Sequence, residues 1–196
     1  NNNPYKVYLD LVYSIVSKID VELLDSDFTK KEIEELGIDY DDIDIKKEGI
    51  DEEIDGFKDL LDRIKEYGND WSLSLYTGGT TGTPKRISHS IDSLTRNVKE
   101  DERFREYIWA FAYNPTHFAG LQVFFQALFN KNPMVYIFDS NGSELGELLS
   151  KYDVTNISAT PTFYRTKILQ IDETITSMKG LTLGGEKFDP LVKKDL

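Results

Sequence analysis

Apolar positions in the first part of the chain recur every three or four residues, which is the spacing of helices with one buried face. One such stripe contains Tyr8, Leu11, Val12, Ile15, Val16 and Ile19, and another contains Ile50, Ile54, Phe57, Leu61 and Ile64. Between the two stripes, Thr29 and Glu32 have the spacing of a capping box, and Gly37 is placed to end that short helix. The pattern predicts three helices before residue 70.

After residue 70 the pattern changes to short apolar or alternating runs separated by helical stripes. The runs at 72–77, 107–113, 134–139, 154–160 and 181–185 predict strands, and the stripes at 121–128, 144–152 and 162–170 predict helices. Strands that alternate with helices predict an α/β fold with a mostly parallel sheet flanked by helices, which binds ligands at the carboxyl ends of its strands. We therefore expect an acidic helical leader at residues 1–70 and an incomplete α/β core at residues 71–196.

Composition and charge limit the kinds of protein that this sequence can encode. Of the 196 residues, 39% are apolar, which is enough for a hydrophobic core, and no apolar run reaches the ~18 residues of a membrane span. The chain has no cysteine and does not open on a signal-peptide pattern, so we expect a cytoplasmic protein without disulfides. The net charge of −12 argues against binding of nucleic acid over a broad surface but is compatible with a small phosphate-bearing ligand.

Residues 76–85, YTGGTTGTPK, combine three glycines, four threonines and one lysine directly after a predicted strand. A glycine-rich turn can aim backbone N–H groups at one point, hydroxyls add donors, and a lysine adds a positive charge. Candidate phosphate-binding residues are therefore Thr77, Gly78, Gly79, Thr80, Thr81, Gly82 and Lys85. The spacing is not that of a Walker A loop, because two residues separate the last glycine from the lysine. From these residues alone, a polar surface turn between two strands remains the alternative.

The same stretch closely resembles the phosphate-binding signature of the adenylate-forming superfamily, which includes acyl- and aryl-CoA synthetases, peptide adenylation domains and firefly-type luciferases. Gly78 stands where serine is common, and Arg86 stands where glycine is common. Three further segments resemble motifs of that superfamily in the same order: YNPTHFAGL (113–121), SATPTFYRTKI (158–168) and LTLGGEKFDP (181–190). The resemblance covers residues 71–190, and the short leader is most like that of compact ligases of the o-succinylbenzoate-CoA type.

The resemblance implies part of the amino-terminal domain of an ATP-dependent acid–thiol ligase. Such an enzyme forms an acyl-adenylate and pyrophosphate from a carboxylic acid and ATP with Mg²⁺, and a thiol, usually coenzyme A, then takes the acyl group. By the same resemblance, His117 is expected to lie beside the acyl group and the adenylate as a catalytic residue. Gly184, Gly185 and Glu186 are expected to line the adenine and acyl pocket. No residue of this chain is identified as a metal ligand.

Several alternatives stay open at this point. The superfamily's later motifs, including a ribose-binding aspartate and an adenylating lysine, are absent from the sequence, so we expect no turnover from these residues alone. The alternative function is a noncatalytic nucleotide- or acyl-binding module. His117 could be structural, Glu186 could cap the helix that follows it, and the Phe124 and Phe125 stripe is interpreted as core rather than an acyl tunnel. An exposed last sheet edge leads us to expect a homodimer or aggregation.

Overall fold

The computed structural model describes residues 3–39, 53–79, 82–172 and 174–186. The helices in this part of the chain are α1 Pro4–Val16, α2 Lys30–Glu35, α3 Gly56–Tyr67, α4 Ile91–Thr95, α5 Phe118–Asn130, α6 Gly142–Lys151 and α7 Pro161–Thr166. The strands are β1 Val21–Leu23, β2 Ser72–Gly79, β3 Gly82–Ser90, β4 Trp109–Phe111, β5 Met134–Tyr136, β6 Asn156–Ala159 and β7 Gly180–Leu183. Over these described ranges, every helix is too short or too polar to cross a membrane.

Contacts divide the chain into two units. Unit 1 contains residues 1–96 and 115–118, and unit 2 contains residues 97–114 and 119–196. The sequence boundary expected after residue 70 falls inside unit 1, between α3 and β2. The division into a leader and a core stays a prediction.

Unit 1 is built on a three-stranded sheet with the order β1-β2-β3, in which β1 is parallel and β3 antiparallel to β2. Helices α1 and α3 contact each other, and the buried apolar residues of both helices, including Ile15 and Ile64, come from the stripes seen in the sequence. The indole Nε1 of buried Trp71 donates to Ser14 Oγ at 3.1 Å. The start of β2 is therefore fastened to α1.

Unit 2 is built on a parallel sheet with the order β5-β4-β6-β7. Strands β4 and β6 are buried along their whole length, as expected for central strands covered on both faces. The core of this unit contains Ala110, Ile137, Leu145, Leu149, Ile157, Ala159, Phe163 and Tyr164. In α5, Phe124 and Phe125 are buried, which agrees with their interpretation as core residues.

The predicted α/β fold with helices around a parallel sheet is confirmed, and most local elements match their sequence patterns. Thr29 and Glu32 form the complete capping box of α2, and Gly37 follows that helix with φ +76°. The stripe that begins at Ile50 becomes α3 from residue 56, while residues 40–52, with part of the acidic stretch, lie outside the described residues. Three elements were not predicted: β1, β3 and α4. β1 and α4 are short, and β1 pairs with a strand about fifty residues later, whereas β3 is formed by hairpin pairing with β2.

Candidate functional site

The glycine-rich stretch forms one end of the β2–β3 hairpin. Thr77, Gly78 and Gly79 end β2, Gly82 begins β3, and Thr80 and Thr81 lie outside the described residues. Thr77 pairs with Lys85 and Gly79 pairs with Gly82, with a shift in register between the two pairs. Irregular pairing of this kind re-aims the backbone at a sheet edge. The candidate loop therefore joins two antiparallel strands; the sequence pattern had predicted the strand before it and had left a strand after it open only as part of the surface-turn alternative.

A polar cluster crosses the three strands of unit 1 next to this hairpin end. Both oxygens of the Glu22 carboxylate are engaged: one accepts from Tyr76 Oη at 2.6 Å, and the other lies 2.6 Å from Arg86 Nη2. Burial, followed by the hydrogen bond to Glu22, raises the pKa of Tyr76 to about 12. Arg86, which departs from the superfamily pattern, is thus paired with a carboxylate of β1. Its neighbour Lys85 is exposed.

The strand order of unit 2 identifies where that unit is suited to bind a ligand. Strand β4 lies between β5 and β6, so the chain moves to one side of β4 for β5 and to the other side for β6 and β7. In open α/β sheets, ligands bind outside the carboxyl ends of the strands at the point where the order reverses. In unit 2 this point is the pair of carboxyl ends of β4 and β6.

Polar residues gather at that point. Tyr113 follows β4, and its Oη lies 3.3 Å from Ser158 Oγ on β6, with both residues buried. Gly184 and Gly185 follow β7 and pack on the same group: a Cβ placed on Gly184 would lie 3.4 Å from Tyr113 Oη, and one on Gly185 would lie 3.4 Å from Thr160 Cγ2. Gly185 has φ +82°, a conformation that favours glycine. The ends of three strands thus meet around one tyrosine hydroxyl.

Glu186 is fastened to the first turn of α7. Its Oε2 accepts from the Thr162 hydroxyl at 2.7 Å and from the Thr162 backbone N–H at 3.3 Å. These contacts, led by the hydroxyl, lower the pKa of Glu186, and its charge in turn adds to the burial that raises the pKa of Tyr113. The sequence had left open that Glu186 caps a helix, and expected the helix after it. The helix it contacts precedes it in sequence, because the parallel fold brings β7 beside β6.

His117 lies directly before α5, within the part of the chain assigned to unit 1. Its Nε2 is 2.8 Å from Oδ2 of Asp25, and its side chain is 48% exposed. The other histidine, His89 on β3, packs its ring against Phe118 at 4.8 Å, and burial lowers its pKa. The two histidines therefore differ in kind: His89 is a packing residue, whereas His117 is a half-exposed ring held by a carboxylate.

One group of side chains in the described ranges has the composition of a metal site. Asp25, Asp27 and His117 bring three ligand-type atoms within 4.8 Å of one another. However, Asp25 already accepts a hydrogen bond from the backbone N–H of Asp27 and engages His117. These contacts account for the positions of Asp25 and His117.

Residues 10–196 match the family model described as "AMP-binding enzyme". The chain belongs to the AMP-binding enzyme family. Among curated family members, 2-succinylbenzoate–CoA ligase of Bacillus pumilus is 25% identical over 138 residues, which cover 63% of this chain and 27% of that enzyme. The chain therefore spans about a quarter of the length of this curated relative.

Solved structures of the family agree in fold. Unliganded o-succinylbenzoate coenzyme A synthetase of Bacillus subtilis aligns with a TM-score of 0.61 at 16% identity, over 98% of this chain and 45% of the synthetase chain. The same synthetase in complex with ATP and a magnesium ion aligns with a TM-score of 0.55 at 20% identity, over 100% of this chain and 40% of the synthetase chain. The fold of this chain resembles part of the amino-terminal domain of these AMP-binding enzymes.

Sequence reasoning missed five residues of these clusters: Glu22, Asp25, Ser158, Thr160 and Thr162. Asp25 opens an Asp-Ser-Asp turn, a composition that signals a turn but not a distant partner. Ser158 and Thr160 lie in a segment whose family resemblance was noted, but their contacts with Tyr113 and Gly185 depend on strand order. Nothing in the local pattern around Glu22 indicates its pairing with β2 and β3.

Proposed function

We propose that the full-length protein activates a carboxylic acid with ATP to an acyl-adenylate, releases pyrophosphate, and transfers the acyl group to the thiol of coenzyme A. Support comes from membership of the AMP-binding enzyme family and from a curated relative that is named a CoA ligase. Because the chain spans only 27% of that relative, the proposal concerns the whole enzyme. The part assigned to this chain is the phosphate-binding hairpin together with a wall of the nucleotide and acyl pocket.

The observation that carries the proposal is the register of the hairpin, in which Lys85 pairs with Thr77 beside the glycine-rich end. An exposed ammonium group next to a run of glycine backbone N–H groups fits a polyphosphate, and this donor set has the right charge for it. Lys85 would hold the phosphates that leave as pyrophosphate and stabilise the charge that develops on them. Mg²⁺, when bound with ATP, supplies further neutralisation of phosphate charge.

The other candidate residues receive roles that follow from the family. We assign His117 to a contact with the acyl group and the adenylate. Gly184, Gly185 and Glu186 would line the nucleotide and acyl pocket, where the backbone of the glycines leaves room that side chains would fill. Tyr113, at the carboxyl end of β4, is suited to the same wall because its hydroxyl already anchors that corner of unit 2.

The test is acid-dependent exchange of labelled pyrophosphate into ATP by the full-length protein in the presence of Mg²⁺. The first acid to test is 2-succinylbenzoate, since it names the curated relative, followed by a panel of aryl and acyl acids. Lys85→Ala should lower the exchange rate by about 100-fold with little change in KM for the acid. Lys31→Ala is the matched control, because Lys31 is an exposed lysine of α2 whose ammonium lies 3.6 Å from Glu35 four residues away.

Two results would overturn the proposal. Equal exchange rates in the Lys85→Ala and Lys31→Ala proteins would show that the hairpin lysine does not hold the phosphates during adenylation. Binding of ATP without exchange, for every acid of the panel, would favour the noncatalytic binding module instead.

A further inference from the structure

The contact between His117 and Asp25 joins two segments of unit 1 that are ninety-two residues apart in sequence. His117 Nε2 lies 2.8 Å from Asp25 Oδ2. The same two segments are tied a second time by the backbone N–H of Ser26, which donates to Thr116 Oγ1 at 3.4 Å. Within the described ranges, Nε2 is the only nitrogen of the His117 ring that has a hydrogen-bond partner. The ring is thus held from one side and presents Nδ1 on the other.

Asp25 is itself held in place by a turn. Its backbone carbonyl accepts from Phe28 N at 3.1 Å, and its Oδ1 accepts from Asp27 N at 3.0 Å. An aspartate that bonds the backbone two residues later is the usual first residue of such a turn. Because Oδ1 is used within the turn, Oδ2 is directed at His117. The side chain of Asp25 is only 20% exposed, so this carboxylate is held more firmly than a carboxylate in a fully solvated ion pair.

We propose that Asp25 is a positioning residue for His117: it accepts the Nε2 hydrogen, orients the imidazole, and leaves Nδ1 as the nitrogen that faces the reacting groups. The catalytic role of this contact rests on the proposed function, whereas the hydrogen bond between Asp25 and His117 is observed independently of it. An imidazole nitrogen that donates to a carboxylate must carry the proton, so in neutral His117 the lone pair is on Nδ1. A fixed tautomer matters because a histidine in the wrong tautomer offers a donor where the reaction needs an acceptor, or the reverse.

Replacement of Asp25 by asparagine makes the inference testable. In Asp25→Asn, the amide oxygen can keep the bond to Asp27 N, and the NH₂ group then takes the place of Oδ2. An NH₂ group donates, so the Nε2 atom that it faces must become the acceptor and the proton must move to Nδ1. The substitution is close to isosteric and reverses the tautomer without removing the turn.

The measurement is the ¹⁵N chemical shift of the imidazole nitrogens in the 196-residue chain, read by long-range ¹H–¹⁵N correlation with EDTA present and at a pH at which histidine is neutral. The chain has two histidines, so a His89→Gln protein assigns both signals. In the unsubstituted chain, we expect His117 to carry its proton on Nε2. In Asp25→Asn, the protonated fraction should move to Nδ1, while the His89 signals stay unchanged.

Asp27→Asn is the matched control. A carboxylate oxygen of Asp27 also lies within 4.8 Å of a ring nitrogen of His117, but its backbone N–H, and not its side chain, holds Asp25. A purely electrostatic influence of the acidic turn would act through both aspartates, whereas the proposed hydrogen bond acts through Asp25 alone. The proposal is overturned if His117 keeps the same ¹⁵N shifts in Asp25→Asn, or if Asp27→Asn moves them equally.

A kinetic measurement on the full-length protein separates this proposal from the proposed function. Asp25→Asn should lower kcat for acyl-thioester formation by about 10-fold, since a misdirected catalytic group costs rate rather than substrate binding, and KM for ATP should stay nearly constant. If the tautomer reverses and kcat does not change, Asp25 does not position a catalytic group, and the ligase activity stands. If the unsubstituted protein forms no thioester and shows no exchange, the proposed function fails while the tautomer result remains valid.

Discussion

Gly120 is the position in unit 2 where a single methyl group should disturb the candidate site most directly. It lies in the first turn of α5, and a Cβ at this residue would come within 2.8 Å of the backbone oxygen of Asn114. The same Cβ would lie 3.1 Å from Phe111 Cζ and 3.3 Å from Tyr113 Cβ. We predict that Gly120→Ala destabilises the protein, because α5 can accept a methyl group there only if the segment that carries Tyr113 moves.

The magnitude follows from two opposing effects. Overpacking of a filled site costs about 1–3 kcal/mol, and the upper half of that range applies because a backbone oxygen cannot rotate away as a side chain can. Replacing glycine by alanine in a helix stabilises the helix by about 1 kcal/mol, because alanine has the higher helix propensity. The expected net loss is therefore about 1–2 kcal/mol in the free energy of unfolding.

The assay is chemical denaturation followed by far-ultraviolet circular dichroism, with the midpoint compared at constant slope. Ala119→Gly, at the adjacent position of the same helical turn, measures the local helix-propensity term by itself. Adding that term to the loss observed for Gly120→Ala isolates the steric cost. A Gly120→Ala protein that is as stable as the unsubstituted one, or more stable, would refute the close approach of α5 to Asn114.

Two further predictions concern stability. Ser14→Ala should cost about 1–3 kcal/mol in urea denaturation, because it leaves the buried indole N–H of Trp71 without its acceptor; an unchanged midpoint would contradict the contact. The pKa of Glu186 is lowered in the folded protein, so the ionised side chain stabilises the fold. This stabilisation is fully present above the pKa of the unfolded state and is lost as pH falls through the folded pKa. Glu186→Gln should therefore lower stability at pH 7 by less than about 1 kcal/mol, given its exposure, and should reduce the loss of stability that occurs as pH falls through the folded pKa of Glu186. In a Thr162→Val background, which keeps the backbone N–H but loses the hydroxyl, the effect of Glu186→Gln should be smaller, and fully additive effects of the two substitutions would argue against the hydroxyl bond.

The glycine-rich hairpin illustrates both the strength and the limit of sequence reasoning for this protein. Residue types and spacing were sufficient to select residues 76–85 as a candidate phosphate site and to reject a Walker A loop. They were not sufficient to predict β3, because "KRISHS" has little of the alternation of a buried strand and Ile87 is 42% exposed. Pairing with β2, rather than the propensity of the segment, makes these residues a strand.

Local order in the chain was determined by the sequence itself. Apolar spacing identified α1, α3, α5 and α6 and the four strands of unit 2, while Thr29, Glu32 and Gly37 determined where a short helix begins and ends. These features depend on residues close together in sequence, so their periodicity and capping residues can be read from the sequence alone.

Contacts between distant residues were decided only by the tertiary structure. Asp25 meets His117, Glu22 meets Arg86, and Glu186 caps a helix that precedes it. Each of these pairs depends on how elements that are distant in sequence come together in the fold. The same local sequence patterns are compatible with more than one such arrangement. The chemistry of the candidate site depends on such pairs. The residue types along the sequence could therefore indicate the function, but only the folded structure shows which residues contact one another.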